Sequence, residues 1–413
     1  MKILDSSRVT PSPNSPNASA EFSLPLTYSD IFWLKLPPVE RLFFYPLNGL
    51  TLPRFNSEIL PKLKQSLSLT LLHFLPLAGN LKWPSNSPKP IISYTPSDGV
   101  PLTVAESDAD FNLLSGNGVY EAVELHPLTP ELITSDDSAS TIALQITLFP
   151  NTGFCVGIAA HHAENSSLPA ELTPVLDRSV LRDPGGVDMI YLKTWFDSMG
   201  SDSDTDKKSL KIFPREGEAA SLVRATVEIT REDLKKLRER VLSKGGNGDR
   251  DVAFGFTIDC RPLLKPPVPE NYFGNCNTIT GEFTKARDFL DGNGFVFGVK
   301  KVSNLVKQVK EKGVLEGIET KLSFLLNPGG GYAAKSLQVI TVAGSPGFGV
   351  YGSDFGWGKR GKPVKVVIVS IDKNEAVSLA ESRDGSRGVE VGLALQKHEM
   401  EKFSSLFLAE FEK

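Results

Sequence analysis

The chain has 413 residues, 45 basic and 49 acidic, giving a net charge of −4, and 40% of its residues are hydrophobic. That length suits two domains of about 200 residues, each able to bury a sizeable core. The balanced charge, with no dense basic cluster, argues against nucleic acid as a partner.

Residues 1–40 are rich in Pro, Ser and Asn until Leu26 to Leu34, which reads as a strand or short helix entering the first core. Met1 to Arg8 lacks the apolar core of a signal peptide. Pro53 to Leu72 carries Leu60, Leu63 and Leu67 at helical spacing and predicts an amphipathic helix. The strongest apolar run, Leu67 to Gly79, is broken by His73 and Pro76 and is too short for a bilayer. A soluble, cytoplasmic protein with no membrane partner is therefore expected. Strands are predicted at Ile91 to Tyr94, Val100 to Val104 and Thr141 to Phe149. Asn151-Thr152-Gly153 then turns into Phe154 to Ala160 as an antiparallel hairpin.

That last strand ends on His161-His162, two of only five histidines in the chain. A strand delivering an imidazole to its end presents a general base on a rigid support, and adjacent strand residues point to opposite sides. The expectation is that His162 faces the chemistry and His161 serves the structure.

From Glu164 to about Glu218 the prolines, Gly185-Gly186 and a Ser/Asp alternation predict a long surface crossover. The second half opens with a strand at Leu222 to Ile229, and Thr230 caps a helix from Arg231 to Ser243. Further strands are predicted at Val252 to Ile258, Leu337 to Ala343, Val364 to Ile371, Ala376 to Leu379 and Val389 to Leu395. Helices are predicted at Phe295 to Lys312, Gly317 to Leu326 and Lys397 to Glu410. Cys155, Cys260 and Cys276 lack paired metal spacing and read as reduced thiols.

Several segments together resemble the plant BAHD acyltransferases, especially the branch that acylates phenolic and anthocyanin glycosides. They are Leu26-Thr27-Tyr28-Ser29-Asp30, Leu75 to Leu81, Asp259-Cys260-Arg261, Tyr272-Phe273-Gly274-Asn275-Cys276, Asp354-Phe355-Gly356-Trp357-Gly358 and Ser378 to Gly385. The resemblance implies a two-domain α/β fold of the CoA-dependent, chloramphenicol acetyltransferase-like type, with mixed sheets and flanking helices. The corresponding division is residues 1–170 with the histidine motif, a crossover at 171–218, and residues 219–413 with the Asp354-to-Gly358 motif. It also implies acyl transfer from an acyl-CoA to an alcohol, with His162 as base, no bound cofactor and no metal. The expected donor is malonyl-CoA, the acceptor a sugar hydroxyl on a phenolic or flavonoid glycoside, and the working unit a monomer. A hydroxycinnamoyl-CoA donor stays open.

The family pattern His-x-x-x-Asp-Gly is altered here: His162 is followed by Ala163-Glu164-Asn165-Ser166-Ser167. In the family that aspartate pairs with an arginine matching Arg261, so Arg261 is expected to lose its partner, with Glu164 as the possible stand-in. Two helices of the family are also expected to be missing, one after Ala163 and one at Gly245 to Gly248. These departures keep a second reading open: a non-catalytic homologue, or an incomplete gene product, that binds without turnover. Asp354 to Gly358 is expected to shape the channel and not to react; without a His-Arg-Asp loop it is not the kinase motif. Gly329-Gly330-Gly331 reads as a flexible loop. A malonyl carboxylate needs a cation, best an arginine; the candidates are Arg178 and Arg182 on the crossover.

Overall fold

The computed structural model describes residues 1–13, 19, 21–162, 173–198, 208–212, 222–230, 251–290, 294–326, 338–344, 346–356, 361–373, 376–386 and 388–411. Glu164, Ser166, Trp357, Gly358, the helix expected at Arg231 to Ser243, Gly329 to Gly331 and both expected helix losses lie outside these residues.

Three sheets organise the described residues. The first has six strands, in spatial order Lys2–Val9, Val100–Glu106, Ile142–Phe149, Gly153–Ala160, Val39–Pro46 and Lys365–Ile368. The second has seven: Asn277–Lys285, Asp251–Asp259, Gln338–Ala343, Ala376–Glu381, Val389–Gln396, Leu222–Ile229 and Tyr120–Glu121. A four-stranded sheet of short strands, Phe22–Pro25, Ile91–Tyr94, Asn80–Lys82 and Ser138–Ser140, completes the set. The halves exchange strands: Lys365–Ile368 pairs with Val39–Pro46 in the first sheet, and Tyr120–Glu121 pairs with Leu222–Ile229 in the second.

The hairpin expected at Asn151 forms, with Gly153 opposite Phe149 and Ala160 opposite Ile142. Its second strand is central, paired on its other side with Val39–Pro46, so its apolar run is buried on both faces. On one face Phe154 and Val156 pack against Phe55, Ile59 and Leu63. Those three belong to the expected amphipathic helix, which runs through one π-turn at Phe55–Ile59 into Leu60–Thr70. On the other face Cys155 packs with Leu42, Phe44 and Leu128.

Three expectations are refined. The segment entering the first core is a helix, Tyr28–Phe32, because Thr27 and Asp30 cap one another's backbone reciprocally. The crossover is not surface loop throughout. It contains the helix Val187–Ser198, whose Val187, Tyr191, Leu192 and Trp195 recur at helical spacing and are buried. The strand expected to reach Ile371 stops at Ile368 and continues as a 3₁₀ turn, Val369–Lys373.

Candidate active site

The site assembles where the central strand Gly153–Ala160 runs out beside the helix Tyr28–Phe32. His162 sits in a short turn just past the strand, and its imidazole stacks on the indole of Trp33, centroids 4.8 Å apart and planes 11° off parallel. The indole is itself fixed, because its Nε1 donates to Asn277 Oδ1 at 2.6 Å. From the second half of the chain, Asn275 Nδ2 donates to the backbone carbonyl of His162 at 3.1 Å. Asn275 is 1% exposed, and its Oδ1 is buried without a hydrogen-bond partner among the described residues.

Asp30 ties these pieces together. Its carboxylate accepts from Thr27 N, Thr27 Oγ1 and, at 3.0 Å, the backbone N–H of Asn275. Arg178 Nη1 lies 3.6 Å from Asp30 Oδ2 and donates to Tyr272 Oη at 3.0 Å and to the Phe273 carbonyl at 2.9 Å. Gly274 permits this approach. Its φ is +150°, and a Cβ there would lie 1.9 Å from Arg178 Nη1.

His161 directly follows the strand and is enclosed. It is 1% exposed, its N–H donates to Thr141 O, and burial, His162 and Lys35 push its pKa down to about 3. It is therefore neutral near pH 7. Lys35 is fully buried, with its pKa pushed down to about 8 by burial. Its Nζ donates to the carbonyls of Ser209 and Lys211, clamping the crossover onto the first half.

Arg261 keeps a carboxylate. Nη1 meets Asp259 Oδ1 at 3.0 Å, and Nη2 donates to Gly274 O at 3.1 Å. This short-range pair lies within Asp259-Cys260-Arg261, whereas the expected loss of a motif partner falls on Ser166 and Glu164, outside the described residues. The Arg261 Nε remains buried with no hydrogen-bond partner among the described residues. The acyl-carboxylate candidates separate: Arg178 is taken up by Asp30 and the Tyr272–Phe273 segment, whereas Arg182 is exposed.

The motif beginning at Asp354 is far from His162. Phe355 packs edge-on against Tyr45 at 5.4 Å, and Tyr45 Oη donates to Ser353 O. Tyr45 pairs with Phe154, eight residues before His162, about 26 Å away at roughly 3.3 Å per strand residue. Asp354 Oδ1 accepts from the Gly356 N–H at 2.7 Å, closing the turn on itself.

A family profile, the Transferase family, matches residues 1–165 and 215–409. The chain belongs to the BAHD acyltransferases. It is 42% identical to phenolic glucoside malonyltransferase 1 of Arabidopsis thaliana, with 97% of this chain and 96% of the relative covered. It is also 42% identical to the malonyl-CoA:anthocyanidin 5-O-glucoside-6''-O-malonyltransferase of the same plant, with 95% of each covered. The fold is that of the crystal structure of vinorine synthase, with a TM-score of 0.63 at 19% identity over 97% of this chain and 95% of that one. The protein is thus an acyl-CoA-dependent acyltransferase of α/β fold. The alignment with the phenolic glucoside relative spans 465 positions, more than the BAHD chain described here contains, which requires gaps on this chain's side.

Among the described residues, no group of three His, Cys, Asp or Glu side chains is placed to hold a metal ion. No described helix is long and apolar enough to cross a membrane. The three cysteines are free and buried, and burial pushes the Cys260 and Cys276 thiols up to about 12. The histidine pair and the Tyr272-to-Cys276 element were evident in the sequence; the partnership of Trp33, Asp30 and Asn275 was not. Its one local signal was the Thr27-x-x-Asp30 capping pattern.

Proposed function

We propose that this BAHD enzyme transfers the malonyl group of malonyl-CoA to a sugar hydroxyl of a phenolic or flavonoid glycoside, with His162 as general base. The observation that carries the catalytic role is the near-parallel stack of His162 on Trp33, with the His162 backbone held by Asn275. The donor and acceptor classes rest on what the similar malonyltransferases are named for.

In this reading an imidazole nitrogen of His162 takes the hydroxyl proton as the acceptor oxygen bonds to the thioester carbon. The tetrahedral intermediate collapses with cleavage of the C–S bond, and His162 returns the proton to the departing thiolate. Between these steps the ring is a cation, and the electron-rich face of Trp33 stabilises it where it forms. Arg178 and Arg261 act by holding the Tyr272-to-Cys276 segment against the histidine turn, and Asp354 to Gly356 acts as a structural turn. The enzyme works as a monomer on acyl-CoA and a glycosylated phenol.

A second reading, a homologue that binds its ligands without turnover, is favoured by Ser166 at the motif position and by the alignment gaps. Purified protein is assayed for thiol release from malonyl-CoA with and without a panel of phenolic glucosides, beside His162→Ala. Acceptor-dependent release that disappears in the variant supports the enzyme reading. Its absence from folded, monodisperse wild-type protein overturns the enzyme reading and leaves a binding homologue or an incomplete gene product.

A further inference from the structure

Arg41 sits on the strand Val39–Pro46 opposite Ile158, four residues before His162 and on the sheet face that Ala160 shares. That places it about 13 Å along the strand from His162, at roughly 3.3 Å per residue. This gap is within the combined reach of two side chains and a short acyl group. Its guanidinium lines a narrow cleft between the two large sheets. Phe348, Val350, Val366 and Ile368 form part of the wall, and Ser378 to Ala380 the rest.

The guanidinium makes no hydrogen bond and no ion pair to any described residue, and its Nε is buried without a partner. The guanidinium lies over the Phe348 ring, 5.9 Å from the centroid. Burial lowers its pKa, opposed by the charge of Glu381. Arg41 is half-buried and lines the cleft, so its guanidinium is a partly desolvated cation with no anion in contact, open to an anionic ligand. Of the other cations near the site, Arg178, Arg261 and Lys35 are already bonded within the protein, and Arg182 is exposed.

We propose that Arg41 binds the free carboxylate of a dicarboxylic acyl group and so selects malonyl-CoA over neutral acyl donors. The proposal rests on the acyltransferase reading of His162. The cleft's free volume of about 20 Å³ suits a group the size of a carboxylate, given that one water needs about 10–15 Å³. An aromatic acyl ring does not fit it. Two parallel N–H···O bonds from a guanidinium match a carboxylate in geometry and charge.

The test compares kcat/KM for malonyl-CoA and acetyl-CoA in wild type, Arg41→Gln and Arg41→Lys, with His162→Ala as control. The malonyl-to-acetyl ratio is expected to fall about tenfold to hundredfold in Arg41→Gln and by less in Arg41→Lys, whereas His162→Ala removes turnover of both donors. An unchanged ratio in Arg41→Gln overturns the proposal, whatever happens to the absolute rates. If wild type turns over neither donor, equilibrium binding of the two reads Arg41 separately. Tighter malonyl-CoA binding that Arg41→Gln abolishes supports the carboxylate site; equal wild-type affinities overturn it.

Discussion

Adjacent histidines meet different surroundings here: His161, directly after the strand, is buried, whereas His162, in the turn that follows, stacks on Trp33. His161, buried and neutral, differs in proton binding from its unfolded form. An unfolded histidine protonates below about pH 6.5, whereas the folded one waits until about 3. Between those values the unfolded state binds the extra proton, so stability falls as pH drops through that window, by up to about 1.4 kcal/mol per unit. Thermal melts of wild type and His161→Gln from pH 7 to pH 4 check this: the variant should lose stability less steeply. Equal slopes would show that burial does not hold His161 neutral. Trp33 belongs to the same scale. If its face stabilises the imidazolium, Trp33→Ala should lower kcat by a factor corresponding to about 1–2 kcal/mol and Trp33→Phe by less. Equal losses in the two variants would reduce Trp33 to a packing role.

The elements that hold the site are short, and their geometry is set by single residues. Gly274 occupies a positive-φ position with Arg178 against its Cα. Gly274→Ala should cost about 1–3 kcal/mol, read as a lowered Tm, because both the backbone conformation and the guanidinium contact resist a Cβ. An unchanged Tm would mean that Arg178 moves aside freely. Regular elements of this kind were open to sequence reading wherever periodicity was strong. The helix from Pro53, the hairpin at Asn151 and the helix ending near Lys312 all follow the expected pattern. Asn277–Lys285 escaped because Thr, Glu and Lys fill most of its positions and only Thr278 is buried, so the strand lacks the apolar alternation that marks one. The helix Val187–Ser198 was masked by the prolines and paired glycines before it, although Tyr191 and Trp195 already stood one turn apart. The contacts that make the site link positions about 110 to 250 residues apart, as in Asn275 with His162 and with Asp30. No local pattern encodes such pairings.

At the scale of the whole molecule, catalysis and stability depend on the same crossings between halves. Besides the exchanged strands, Arg224 on the second sheet pairs with Asp372, which follows the last strand of the first sheet. Both side chains are buried, and His126 Nε2 meets the same carboxylate at 3.2 Å. Removing Asp372 by Asp372→Ala leaves Arg224 buried without its anion. The expected loss is about 3–5 kcal/mol in urea unfolding, within a single transition because the halves share strands. Two separated transitions would show that the halves unfold independently. His162 itself is presented by this arrangement: its strand comes from the first half, and Asn275 holds its backbone from the second. The measurement that bears most directly on that arrangement is the pH dependence of kcat/KM with malonyl-CoA and a phenolic glucoside, in wild type and His162→Ala. A general base at position 162 predicts a wild-type rate falling tenfold per pH unit on the acid side, and a much weaker His162→Ala rate without that limb. A wild-type-like rate in His162→Ala, or the same acid limb in its residual activity, would contradict the assignment.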